Sequence, residues 1–163
     1  MASFDSFRRS APLVSTVFVR RHAAAGQLCM LGTLRSDGWP RISPVEPRVF
    51  EGELWIVGMP GTTKFRDLAR DPRFTLHTAT VDTQVSDGDA KVWGRVRDVR
   101  DPALHQRFAE DLYAESGFDL RGQVFDQFLA ADLLGGSSVS VGGGHMEVTV
   151  WRDGEPEHVV RKD

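Results

Sequence analysis

The sequence predicts a mainly β protein, an antiparallel β-barrel with flanking helices. Three observations carry that expectation. Short apolar runs alternate in period two between turn signals such as Ser36-Asp37-Gly38 and Glu51-Gly52. Only two or three stretches have helical character, too few to cover a layered α/β sheet. The chain has 163 residues, too few for an eight-stranded parallel barrel with its ring of helices.

Taken in order, residues 3–24 have helical character, and Pro12 is placed to open a second helix. Leu13, Val14 and Val17 form its expected apolar stripe, and Gly26 ends the region. Residues 28–35, residues 41–50 and Leu54-Trp55-Ile56-Val57 then read as a three-stranded meander. Prolines 40, 44 and 47 weaken the middle strand and mark an edge, a bulge or a nearby ligand. A short helix fits residues 63–70, with Phe65, Leu68 and Ala69 on one face and Asp71-Pro72 as its stop. Strands at 74–78 and 91–96 flank a polar loop from Asp82 to Asp89, expected to be exposed. Asp101-Pro102 opens a helix whose Leu104, Phe108 and Leu112 recur at spacing four. Residues 124–132 fit strand or helix equally. Residues 137–141 and 146–151 alternate as two closing strands around Gly142-Gly143-Gly144. No repeat or linker divides the chain, so one domain over 1–163 is expected. It comprises a helical segment to residue 25, a barrel core over 26–100, and a helix with closing strands over 101–163.

Composition removes several functions. Hydrophobic residues are 40% and charged residues 26%, ordinary for a folded protein, so disorder is not the main feature. A net charge of −3 leaves no overall basic field for a nucleic-acid backbone, and Arg20-Arg21 reads as a solvated face. Cys29 has no partner for a disulfide and reads as a small buried hydrophobe. No apolar run approaches the ~20 residues of a membrane span. Phe4-Asp5-Ser6-Phe7-Arg8 lacks the apolar stretch of a signal peptide, so a cytoplasmic protein without a membrane partner is expected. Histidines 22, 77, 105, 145 and 158 show no pair at metal-ligand spacing. They read as surface or half-buried residues, and no metal site is expected. Neither a Gly-x-Ser-x-Gly elbow nor a Gly-x-Gly-x-x-Gly turn into a helix is present, which removes serine hydrolases and Rossmann dehydrogenases.

Chemistry concentrates in Gly61-Thr62-Thr63-Lys64-Phe65-Arg66-Asp67-Leu68. Thr62 or Thr63 is a natural N-cap, which places Lys64 and Arg66 in the first helical turn. Cations there oppose the helix dipole at a cost of about 0.3–1 kcal/mol each when exposed. Asp67 relieves part of that cost. A bound anion reverses the argument, because free N–H groups, threonine hydroxyls and an ammonium converge on one phosphate. Lysine is not this chain's default cation, since it has three (64, 91 and 162) among its 20 Lys and Arg residues. Alternation along Pro40-Arg41-Ile42-Ser43-Pro44-Val45 puts Arg41, Ser43 and Val45 on one face, and Arg41 suits bidentate phosphate contact if that face meets the helix start. Solvated cations at both places are the alternative.

The succession of a strand, a turn, Pro40-Arg41-Ile42-Ser43-Pro44-Val45, a strand, and the run from Gly52 through Thr62-Thr63-Lys64 to Asp71-Pro72-Arg73 resembles the pyridoxamine 5′-phosphate oxidase-like family. The resemblance is clear over residues 26–100 and most specific from Thr62 to Arg73. It implies a six- to seven-stranded antiparallel split β-barrel of the FMN-binding type, acting as a homodimer with the flavin in a groove between subunits. Carried over by motif, Arg41 resembles the phosphate-binding arginine, with Ile42, Ser43 and Pro44 along the isoalloxazine ring. Val57 and Gly58 resemble the strand end that lines the groove. Thr63 and Lys64 resemble the phosphate pair, although Thr63 stands where an arginine is common. Lys91 resembles a residue on the partner subunit's side of the ring.

The resemblance implies a flavin-dependent oxidoreductase moving a hydride to or from a small molecule, with FMN as cofactor. Two departures argue against an authentic pyridoxamine 5′-phosphate oxidase. Glu46 stands where a lysine meets the substrate phosphate, and the tail from Trp151 to Arg161 lacks the Arg-x-His pattern. The deazaflavin coenzyme F-420 is an alternative cofactor, favoured if Arg48, Arg66 or Arg70 lies at the groove mouth. A non-catalytic module that stores, carries or senses flavin shares every one of these features. Haem is a further alternative, with His145 as the residue to watch. Trp93 or Trp151 is placed to stack near a flavin, no catalytic acid or base is assigned, and loops 82–89 and 115–123 are expected to shape the substrate pocket.

Overall fold

The computed structural model describes residues 1–80 and 83–162. Among these, four helices and nine strands follow in the order α1 (Phe4–Ser10), α2 (Pro12–Ala24), β1 (Cys29–Leu34), β2 (Pro40–Val45), β3 (Arg48–Phe50), β4 (Glu53–Ile56), α3 (Thr63–Arg70), β5 (Arg73–Thr78), β6 (Asp89–Asp98), α4 (Pro102–Ser116), β7 (Leu129–Gly142), β8 (His145–Arg152) and β9 (His158–Lys162). All strand pairs are antiparallel. No helix among the described residues is long and apolar enough to cross a membrane.

The sheet runs β2-β1-β5-β6-β7-β4-β3, with β8 and β9 as an arm on β7. Its two ends, β2 and β3, are separated in sequence only by Glu46 and Pro47. Three peptide steps span at most ~11 Å, so the sheet must curl until its edges meet. The result is a split β-barrel. The expected three-stranded meander is therefore corrected: β2 pairs with β1, whereas β3 pairs with β4. The ladder breaks at Glu46 and Pro47, where one bent strand passes between the two edges. With β2 and β3 as halves of that strand, six staves form the barrel wall. The split lies along β7, which pairs with β6 on one side and on the other with β4 at Leu129–Ala130 and then with β8 from Gly135 onward.

Alternation sorts the side chains. Cys29, Leu31, Leu76, Ala90 and Val92 are buried within the barrel. The two N-terminal helices pack on β6 and β7, where Phe7 meets the Trp151 ring at 5.1 Å between centroids. Val14, Val17 and Phe18 form the buried face of α2, and Leu13 is 53% exposed, so it leaves the expected stripe. On α3, Phe65 and Leu68 are buried as expected, while Ala69 is exposed and Asp67 takes the third buried place. A second cluster joins Leu104, Phe108 and Leu112 of α4 to Trp55, Phe125 and Phe128. Buried Arg48 reinforces it by donating to Asp111 at 2.8 Å and pairing with Glu115.

Other corrections follow from burial. Arg21 is buried and donates to Asp87 and to the Ala79 carbonyl, so Arg20-Arg21 is not simply a solvated face. His22 and His105 are buried, each donating a ring N–H to a backbone carbonyl, of Pro47 and Val99 respectively. Cys29 is buried as expected, and burial pushes its thiol up to about 12. The ambiguous 124–132 stretch resolves as an irregular segment that enters β7 at Leu129, and β9 is a further closing strand. In the expected loop 82–89, Asp82 lies outside the described residues. Thr83, Gln84, Ser86 and Asp87 are exposed.

Candidate anion-binding site at the start of α3

Helix α3 begins without the usual devices that satisfy a helix start. Its N-cap Thr62 makes no side-chain capping bond, and the first turn contains no acidic residue. The first helical hydrogen bond runs from Arg66 N–H to the Thr62 carbonyl. The N–H groups of Thr63, Lys64 and Phe65 therefore have no helical partner. The Thr62 hydroxyl is buried with no hydrogen-bond partner among the described residues, an arrangement that costs about 1–3 kcal/mol unless something fills it. Gly58 closes one side: a Cβ there would stand 2.9 Å from the Phe65 ring, so a larger residue would have to displace that ring. The Lys64 ammonium lies 6.0 Å from the centroid of the same ring. The helix start thus offers donors and positive charge with no internal acceptor.

Arg41 reaches this helix from β2. It shares the inward face with Thr33 of β1, its direct cross-strand neighbour. Its Nε donates to Asp67 Oδ2 at 2.6 Å, and Thr33 Oγ1 donates to the same oxygen at 3.1 Å. Asp67 lies one helical turn beyond Thr63 and Lys64 on the same side of α3. Arg41 is thereby tied to α3 one helical turn from its start. Burial alone would raise the Asp67 carboxyl, but hydrogen bonds from Arg41, Thr33 and Arg70 with the Arg41 charge outweigh it and hold it below the usual carboxylate range. An open groove of about 260 Å³ lies on the opposite, outward face of the sheet, lined by Gly32, Leu34, Pro40, Arg73 and Thr75 among others, and is not part of this group.

The residues expected at a site divide by sheet face. Arg41 and Ser43 are half-buried on the inward face of β2, whereas Ile42 and Pro44 are exposed on the outward face. Gly58, Thr63 and Lys64 gather at the helix start. Val57 turns instead to the cluster beneath α4. Lys91 lies on the outward face of β6, paired with His77 and Ser137, and is not part of the group around Arg41. Beside it the structure adds a pair the sequence reading missed: His77 Nε2 lies 3.9 Å from Asp89 Oδ1, and that buried oxygen has no hydrogen-bond partner among the described residues. Strand register alone brings these residues together, across a connection no spacing rule spans. Trp151 is fully buried and unavailable for stacking on a ligand. Arg48 is held by α4 and Arg70 by Asp67 and the Leu34 carbonyl, which leaves exposed Arg66 as the available arginine of the three considered. His145 contacts Glu147 at 3.3 Å on an open hairpin. Among the described residues no group of three His, Cys, Asp or Glu side chains is arranged to hold a metal.

The family model for pyridoxamine 5′-phosphate oxidase matches residues 19–129 of the chain. No curated protein matches the sequence. Among solved structures, the fold is similar to a pyridoxamine 5′-phosphate oxidase-related, FMN-binding protein from Nostoc punctiforme, at TM-score 0.60 and 12% identity over 94% of this chain and 96% of that one. It is also similar to PhzG from Burkholderia lata, solved with tetrahydrophenazine-1-carboxylic acid, at TM-score 0.63 and 11% identity over 94% and 93%. A haem-binding protein from Mycobacterium smegmatis aligns at TM-score 0.60 and 20% identity over 80% of this chain, which spans 55% of that protein's length. At these identities the likeness is one of fold.

Proposed function

The chain belongs to the pyridoxamine 5′-phosphate oxidase family, and from that premise we propose that it is an FMN-binding oxidoreductase whose phosphate site is the start of α3. The observation that carries this reading is the unpartnered Thr62 hydroxyl at an uncapped helix start with Lys64 in its first turn. A phosphate dianion meets each of those needs at once. Arg41 adds a second cation from β2, and the backbone of Ile42, Ser43 and Pro44 offers polar groups to the ring. The chemistry a bound flavin supplies is hydride transfer to or from a small molecule. The protein's part is grip, orientation and exclusion of water.

The outward sheet face supports a homodimer with Lys91 at the seam. Ile42 is 72%, Val141 47% and Val160 38% exposed there. Exposed Glu46, and the lack of an Arg-x-His pattern between Trp151 and Arg161, speak against vitamin B6 phosphate as substrate. Of the arginines that favour the deazaflavin, Arg66 alone is available, so FMN is the better-supported cofactor.

The absorbance spectrum of the purified protein, with mass spectrometry of any released chromophore, separates FMN, deazaflavin and haem. Replacing Lys64 by Ala tests the site. Loss of one charge-assisted contact of about 1.5–3 kcal/mol weakens FMN binding roughly 10- to 100-fold, while riboflavin, which has no phosphate, binds as before. Equal loss for both ligands removes the phosphate assignment.

A further inference from the structure

We propose that Asp67 is the positioning residue of this site, the group that determines which edge of Arg41 is offered to the anion; the proposal rests on the flavin-phosphate reading above. Asp67 is 4% exposed, in the middle of α3. Its two oxygens divide the work. Oδ2 accepts from Thr33 Oγ1 at 3.1 Å and Arg41 Nε at 2.6 Å. Oδ1 accepts from both terminal nitrogens of Arg70 at 3.4 Å, and Arg70 also donates to the Leu34 carbonyl. A carboxylate is acceptor-only, with room for all of these donors, and the chain's own groups occupy it.

The consequence for Arg41 is directional. A free arginine has several edges and many rotamers through which to meet a phosphate. Here the Nε edge is committed to Asp67, and both Nη groups have no partner among the described residues. Only the terminal fork remains for an anion, and Thr33 fixes the carboxylate that aims it. Asp67 also tempers the charge: two guanidiniums share one carboxylate, so the pair retains a net positive charge for an incoming anion. An Asn at 67 keeps the shape but loses the charge, and it turns an amide donor toward one of two cations. Arg41 is then released from its fixed orientation.

The test is the preference for FMN over riboflavin, measured as a ratio of dissociation constants in wild type and in Asp67→Asn. The expected result is a fall of about tenfold or more in that ratio, with the riboflavin constant unchanged. In an Arg41→Met background the same Asp67→Asn change leaves the ratio where Arg41→Met alone puts it, because Asp67 acts through Arg41. A change that lowers thermal stability but keeps the ratio makes Asp67 a structural ion-pair partner only and overturns the proposal. Should Asp67→Asn fail to fold, Thr33→Val decides: it keeps the carboxylate but frees its orientation. A drop of about fivefold in the ratio supports the proposal, and an unchanged ratio overturns it. Wild-type protein that binds neither flavin overturns the flavin reading itself, and this inference with it. Wild type that prefers FMN beside an Asp67→Asn that prefers it equally overturns this inference alone.

Discussion

His22 is buried against the stacked Phe18 ring, 5.8 Å between centroids, and donates its Nε2 proton to the Pro47 carbonyl at 2.8 Å. Burial lowers its pKa, and the carbonyl bonds only partly offset that. The folded protein therefore resists protonating this ring, whereas the unfolded chain takes up a proton below about pH 6.5. Where the unfolded state binds more protons, stability rises with pH. We expect thermal stability to fall as pH drops below ~6.5, and a His22→Gln variant to show a shallower slope between about pH 7 and 5. Parallel slopes in the two proteins would assign the acid sensitivity elsewhere. Asp67, whose folded pKa is also lowered, acts further down. Its contribution is present above about pH 3.9 and is lost as pH falls through its folded value.

Between elements, the tightest constraint lies where β6 crosses β7. The register shifts between Trp93 and Gly94, and a Cβ on Gly94 would overlap the Asp132 carbonyl oxygen, which is backbone and has nowhere to go. A Cβ on Gly135 would overlap the Trp93 ring instead, a side chain that can swing away. Gly142, near the hairpin tip, has nothing within 4 Å of its Cβ position. Urea denaturation should rank the three alanine variants accordingly. Gly94→Ala loses about 3 kcal/mol, the upper end of overpacking, and Gly135→Ala about 1 kcal/mol. Gly142→Ala stays within about 0.5 kcal/mol. A mild Gly94→Ala would mean that β7 can slide past the bulge, and that the split in the barrel is softer than its register suggests.

For the molecule as a whole, the outward sheet face is the feature the isolated chain leaves unexplained. Ile42 at one end of it and Val141 and Val160 at the other are exposed apolar residues, with Lys91, His77 and Asp89 between them. A second copy of the chain is the proposed cover. Because Ile42 is 72% exposed, Ile42→Glu leaves the fold of one subunit intact. It should convert the proposed dimer to monomer in sedimentation equilibrium and weaken flavin binding in parallel, since a groove between subunits loses one wall. A variant that becomes monomeric yet binds flavin with wild-type affinity places the whole groove within one chain.

Much of this was legible in the linear order of residues. The Asp101-Pro102 start of α4, the span of α3 and the turns at Gly26, Gly38 and Gly52 are local matters, settled by capping, proline geometry and glycine within a few residues. The uncompensated cations at the start of α3 were visible for the same reason, since a helix dipole acts over one turn. Contacts between distant segments were not. That 41–50 is one strand shared by two sheet edges follows from barrel closure, because Pro47 permits the break but does not say which partner each half takes. Arg21 reads as a surface charge and Arg48 as a groove-mouth arginine until tertiary packing supplies Asp87, Asp111 and Glu115. Asp67 reads as a helix residue easing its neighbours' charge, and becomes the anchor of Arg41 only when β2 is laid beside α3. The sequence by itself determined the span of α3, the start of α4, the turns at Gly26, Gly38 and Gly52, and the crowding of cations at the start of α3, because those energies are local. Only the tertiary structure decided which charges are buried and which atom of Arg41 stays free, because burial and ion pairing depend on segments that meet through the fold.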